Sequence, residues 1–197
     1  MLSLIWKGEF AMVELTREAA YDLLAMHNRD ESHIKHAIAV EAAMKYFARL
    51  FGEDENLWGI IGLLHDLDWE ECPEEHPKRG AEWLREAGYP DYVVRGVLAH
   101  AWEITGVEPN NLMEKVIYAV DELTGFVIAV ALVRPSRSLS DLTTKSVMKK
   151  WKDKAFAKGV NREVIQKGAD LLDMPLNELI DHVIKALRPI GRELGLG

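Results

Sequence analysis

Leu57-Trp58-Gly59-Ile60-Ile61-Gly62-Leu63-Leu64-His65-Asp66 is a nearly all-apolar run that stops on an ionisable pair. Burying an unpaired charge is costly, so a pair at the end of such a run needs a compensating partner, and a divalent cation supplies one. Glu55 toward Asp66 reads as a helix in which Gly59 and Gly62 lower the propensity but permit close packing.

Outward from this run the pattern is helical nearly throughout, with no series of alternating strands. Thr16 caps a helix through about His27, with Asn28 as its stop, and Ser32 starts the next, which carries His36. Beyond the apolar run, Pro77 opens a short helix over Lys78 to Ala87, and Pro90 starts one that carries His100 near its end. Leu112 through about Val133 is apolar almost all round yet holds Asp121 and Glu122 at its middle, the mark of a central buried helix. Pro135 breaks it, Ser136 to Ser140 is a loop, and helices follow near Thr144 to Lys154, from Arg162 capped by Asn161, and from Pro175. The expected fold is all-α, an irregular helical bundle. Residues 1–12 read as a loose tail and residues 13–197 as one helical domain, with its core at about 32–133 and a C-terminal helical extension.

The net charge of -8 argues against general nucleic-acid binding. Its distribution is uneven: Arg134 to Lys167 holds ten Lys or Arg against three acidic residues. That segment reads as an anion-facing region or as a solvated, lysine-rich helical face. A single cysteine, Cys72, excludes an internal disulfide framework and favours a reducing compartment, with a cytoplasmic location expected. The apolar runs Leu57 to Leu64 and Val127 to Val133 are too short to span a bilayer, so no membrane partner is expected.

His36, His65, Asp66 and Asp121 form a mixed nitrogen and oxygen set suited to Mn, Fe, Co, Ni or Zn. Adjacent residues diverge on a helix, so His65 and Asp66 converge only at a helix end or turn. His76 and His100 extend the set: with Asp66 as a bridging carboxylate they would bind a second ion. Their alternatives are an exposed loop histidine beside Glu74 and Glu75, and a helix-terminal cap.

His36, the His65-Asp66 doublet and Asp121, in this order, resemble the signature of the HD-domain metal-dependent phosphohydrolases. The strings His36-Ala37-Ile38-Ala39-Val40, Leu63-Leu64-His65-Asp66-Leu67-Asp68 and Ala119-Val120-Asp121-Glu122-Leu123-Thr124-Gly125 resemble the stand-alone bacterial and archaeal branch of that superfamily. The resemblance covers roughly Ser32 to Val133. It implies a helical fold in which His36, His65, Asp66 and Asp121 hold one divalent ion, and a dinuclear site where His76 and His100 join them. Relatives hydrolyse nucleotides, including dinucleoside polyphosphates, or act on monophosphates or cyclic dinucleotides. Where the cyclic-dinucleotide hydrolases continue the doublet with an Ile-Gly-Lys-like string, this chain has Leu67-Asp68-Trp69. The positive charge of that lysine would then come from the ions or another basic group. Gly88-Tyr89-Pro90 has the letters of that branch's second signature without its His-rich surroundings.

The expected activity is therefore divalent-metal-dependent hydrolysis of a nucleotide or related small phosphoester, with one or two ions of Fe, Mn, Co, Ni or Zn, or Mg at an exchangeable second position. Asp66 would bridge, and Asp68 or Glu70 would orient water or transfer a proton, with solvation of the loop as their simpler role. Arg134, Arg137, Lys145 and Lys149 are the expected phosphate ligands. A homodimer is compatible with this reading. Trp69 and Trp102, close to the ligands in sequence, either pack or stack on a base. The competing readings are a noncatalytic metal-stabilised binding module and a helical interaction protein without metal.

Overall fold

A computed structural model describes residues 14–197, so the expected tail at residues 1–12 lies outside the described residues. Ten α-helices follow in order: α1 Arg17–His27, α2 Glu31–Phe51, α3 Glu55–Leu64, α4 Lys78–Glu86 and α5 Asp91–His100, then α6 Trp102–Thr105, α7 Leu112–Leu132, α8 Thr144–Trp151, α9 Arg162–Leu171 and α10 Leu176–Leu187. No strand occurs among the described residues. The bundle is all-helical, as its periodicity predicts.

Local chemistry sets most boundaries. Thr16, Asp54, Asn111 and Asn161 accept hydrogen bonds from the first-turn amides of α1, α3, α7 and α9. Asp30, and not Ser32, caps α2: its carboxylate accepts from the Ser32 amide at 2.7 Å, so the helix starts at Glu31. Helix α3 ends at Leu64 and not at Asp66, and α8 stops at Trp151 short of Lys154. The single turn α6 has no sequence signal long enough to reveal it.

Two close approaches place the elements that matter. A Cβ on Gly62 would meet the Val40 carbonyl oxygen at 2.9 Å and Glu41 Cα at 3.0 Å, so glycine lets α3 lie directly against α2. A Cβ on Gly168 would meet Ala119 Cα at 2.5 Å, which fixes α9 against α7 in the same way. Between them runs α7, with Val116, Ile117, Val120, Leu123, Phe126, Val127 and Val130 buried along its length. Each such large apolar side chain contributes about 1.5–3 kcal/mol of transfer free energy, which keeps the Asp121 backbone rigid. No described helix is long and apolar enough to cross a membrane.

Candidate metal centre

Four helices and the turn before α4 deliver the ionisable side chains to one point. His36 projects from α2, Asp121 from the middle of α7, and His100 is the last residue of α5. His65 caps the C-terminus of α3, where the chain leaves the helix for a run of turns through Glu71. This change of direction brings adjacent His65 and Asp66 together, with Nε2 and Oδ2 3.3 Å apart. His76 comes from the turn immediately before α4.

The ligand atoms form two groups that share Asp66. In the first, His36 Nε2 lies 2.9 Å from Asp121 Oδ1, His65 Nε2 lies 3.2 Å from the same oxygen, and the two imidazole nitrogens are 3.3 Å apart. Asp66 Oδ2 completes this group, 3.7 Å from His36 Nε2. In the second, Asp66 Oδ1 lies 3.4 Å from His76 Nε2 and 3.7 Å from His100 Nε2, and the two ring nitrogens are 3.1 Å apart. One carboxylate thus turns one oxygen toward each group. His36, His65 and Asp121, and separately Asp66, His76 and His100, are each close enough to hold one ion.

Hydrogen bonds on the far side of three rings set their tautomers. His65 Nδ1 is 2.8 Å from the Gly62 carbonyl and His100 Nδ1 is 2.5 Å from the Val97 carbonyl, and a carbonyl only accepts. His76 Nδ1 lies 2.7 Å from Asp68 Oδ1. Each ring therefore carries a proton on Nδ1 and turns Nε2 inward, with a lone pair there whenever the ring is neutral. His76 and His100 then face each other lone pair to lone pair. That contact is repulsive until a cation or a proton sits between them, so these residues fit a bound metal ion on chemical grounds.

The electrostatics agree. Burial disfavours the His65 imidazolium, but Asp66 and Asp121 more than offset it and hold the ring well above the usual histidine range. Asp66 and Asp121, although withdrawn from water, are held below the usual carboxylate range chiefly by His65. Burial, then His65, pushes His100 down to about 4. The cluster is built to keep positive charge beside its carboxylates and neutral imidazole at its second end.

A cavity of about 410 Å³ opens over His36, Asp66, His76, His100 and Asp121. Its walls are Trp69, Ala101, Glu103, Ile104, Glu122 and Gly125, with Gly159, Val160, Asn161 and Val164 contributed from the loop before α9 and its first turn. Trp69 stands edge-on to His76, centroids 4.9 Å apart, and is 43% exposed, so its other face is free. Trp102 does not line the cavity; it lies against Tyr118 with the Lys167 ammonium 3.3 Å above its ring. Glu122 is pushed up to about 7 by burial and by the neighbouring Asp121 carboxylate.

The structure separates the remaining expected site residues from this cavity. Asp68 is fully buried behind His76, its second oxygen accepting from the Gly80 amide at 2.7 Å. Both oxygens are therefore used, which leaves it neither solvating a loop nor facing the cavity. Glu70 accepts from the Arg29 and Asp30 amides at 2.8 and 2.9 Å and ties the ligand turn to the start of α2. Arg134 donates to Ser146 and Asp141, and Arg137 is an exposed loop residue. Lys145 and Lys149 line a separate surface hollow on α8. Asn28, expected only to stop α1, donates through its amide to the Leu67 carbonyl at 2.8 Å and braces the ligand turn from beneath. The α9 wall has no local motif; the lone Gly168 within a helical pattern is its only trace in the sequence.

No solved structure matches the chain. The family model described as HD domain matches residues 34–125, a segment that encloses all six ligand residues from His36 to Asp121. Over that segment the chain is similar to the HD domain, which supports membership of the HD-domain superfamily of metal-dependent phosphohydrolases.

Proposed function

We propose that this protein is a divalent-metal-dependent phosphohydrolase acting on a nucleotide or related small phosphoester. The observation that carries the proposal is the sharing of Asp66 between two groups of ligand atoms under a single open cavity. His36, His65, Asp66 and Asp121 would hold one ion, and Asp66, His76 and His100 a second. Four imidazoles and two carboxylates suit Mn, Fe, Co, Ni or Zn better than an all-oxygen ion such as Mg. When bound, the ions would lower the pKa of an attacking water and neutralise charge on the phosphoryl oxygens.

The chain's own part is positioning. Gly62, Val97 and Asp68 hold three imidazole rings in the ligating tautomer, Asn28 and Glu70 fix the turn that carries Asp66, and Trp69 supplies an apolar face beside the ligands. Asp68 acts through His76, so it is a positioning residue and proton transfer falls to a group on the cavity wall. Glu122, raised toward neutrality and facing the cavity, is the wall residue best suited to that exchange.

The experiment is elemental analysis of protein purified without added metal or chelator, followed by a phosphoester screen. One or two transition-metal ions per chain with metal-dependent turnover, lost in Asp66→Ala, is the expected result. Stoichiometric metal with no turnover of any phosphoester would favour a noncatalytic binding module, and absence of metal after titration would refute the centre itself.

A further inference from the structure

Sites that handle nucleoside di- and triphosphates surround the additional phosphoryl groups with lysine, arginine or free helix N-terminal amides. This cavity has no lysine or arginine among its described lining residues. Lys167 touches the wall only through Glu103, to which it donates at 3.0 Å. Arg162, next to the lining residue Asn161, has its guanidinium held by the carbonyls of Trp151, Asp153 and Phe156. The α9 N-terminus reaches the cavity through Asn161 and Val164, but three of its amides are already engaged. Those of Glu163 and Val164 donate to Asn161 Oδ1, and that of Asn161 donates to Glu122.

The wall presents carboxyl groups instead, Glu103 and Glu122, beside the apolar surfaces of Trp69, Ile104, Val160 and Val164. Ionised or neutral, a carboxyl group offers no positive charge to a second phosphate. The balance at the ligands is equally narrow. Two divalent ions set against Asp66 and Asp121 leave two positive charges, the amount that one phosphomonoester dianion neutralises.

Resting on the phosphohydrolase reading above, we infer that the site selects a substrate with a single phosphoryl group. The substrate is a phosphomonoester whose organic part lies against the apolar wall and hydrogen-bonds to its carboxyl groups. Nucleoside di- and triphosphates are rejected by charge. The hydrolysis is an ordinary one: water adds to phosphorus, the P–O bond to the organic group breaks, and the alcohol leaves with a proton from the water.

The test is calorimetric titration of the metal-loaded protein with orthophosphate, adenosine 5′-monophosphate and adenosine 5′-triphosphate. Free metal is held constant and metal content is verified after each titration. The monophosphate and orthophosphate are expected to bind at least about tenfold more tightly than the triphosphate. Glu122→Lys, or Val164→Lys where the first variant fails to fold, is expected to narrow that ratio by about tenfold by adding the absent cation. Triphosphate binding as tight as monophosphate binding in the unaltered protein overturns the inference, and so does binding of none of the three. Tight monophosphate binding without hydrolysis supports the selectivity and overturns the phosphohydrolase reading, so the two failures are distinct.

Discussion

Replacing Asp68 by Asn separates the two halves of the metal centre. Asp68 is fully buried and accepts from His76 Nδ1 and from the Gly80 amide, each at 2.7 Å. An asparagine of the same shape has one carbonyl oxygen, so it can accept one of these bonds while its NH₂ group meets the other donor. Losing a charge-assisted bond and leaving a buried donor unpaired costs about 2–3 kcal/mol, to be read as a lowered denaturation midpoint of the metal-free protein. The larger effect is local. Without its acceptor the His76 ring is free to turn or change tautomer, and loss of such an outer partner weakens metal binding about 10–100-fold. Asp68 has no hydrogen bond to His36, His65 or Asp121, so the affinity of their ion stays unchanged. Competition titration with a chromophoric chelator should thus show one tight and one weakened site in Asp68→Asn. Equal weakening of both sites, or two undisturbed sites, would refute the assignment of His76 to a second ion and of Asp68 as its support.

Further outcomes follow from the same geometry. Asp66→Asn removes a shared charge and is expected to weaken both sites together, the opposite pattern to Asp68→Asn, in the same titration. Gly168→Ala forces a methyl group to within 2.5 Å of Ala119 Cα, so it should destabilise the fold by about 1–3 kcal/mol in urea while metal content in the folded fraction holds. In metal-free protein the folded His65 value lies above its ordinary 6.5. Its contribution to stability is therefore full below about pH 6.5 and lost as pH rises through the folded value. His100, pushed down to about 4, acts in the opposite sense only below its ordinary 6.5. Melting temperature of the chelator-treated protein should thus fall as pH rises above about 6.5 through the folded His65 value, while the gain from added metal grows because protons no longer compete for the ligands. A metal-free melting temperature that rises over this range would contradict the cluster's electrostatics.

The helices were legible wherever a cap or breaker sits in the chain. Thr16, Asn161 and Pro135 mark boundaries that the structure keeps, because capping is decided within three residues. The start of α2 was misplaced because Asp30 and Ser32 are both good capping residues and only the hydrogen bond between them tells which one caps. His36, His65, Asp66 and Asp121 were readable as one ligand set from residue type, order and the abrupt end of an apolar run, whereas His76 and His100 joined it through the family resemblance, each having an ordinary alternative by spacing alone. The groups behind the ligands were not legible: Asp68 and Glu70 look alike as acidic residues after the doublet, and their separate duties depend on Gly80 and on the start of α2, 12 and 40 residues away. The basic stretch from Arg134 onward drew attention by composition, yet Arg134 is used within its own loop and α8 faces a different hollow. Long-range packing, above all Gly168 on Ala119, put an apolar and acidic wall over the ligands in its stead.

One side of that wall, Gly159 to Val164, belongs to a different stretch of chain from the ligands. The family match ends at residue 125, and the segment that closes the cavity begins again at Gly159. Changes at 159–164 can therefore reshape this side of the cavity without moving an imidazole. A graft of this loop and first helical turn onto another bundle of the same kind would carry its apolar face across and leave Glu103, Glu122 and the ligands behind.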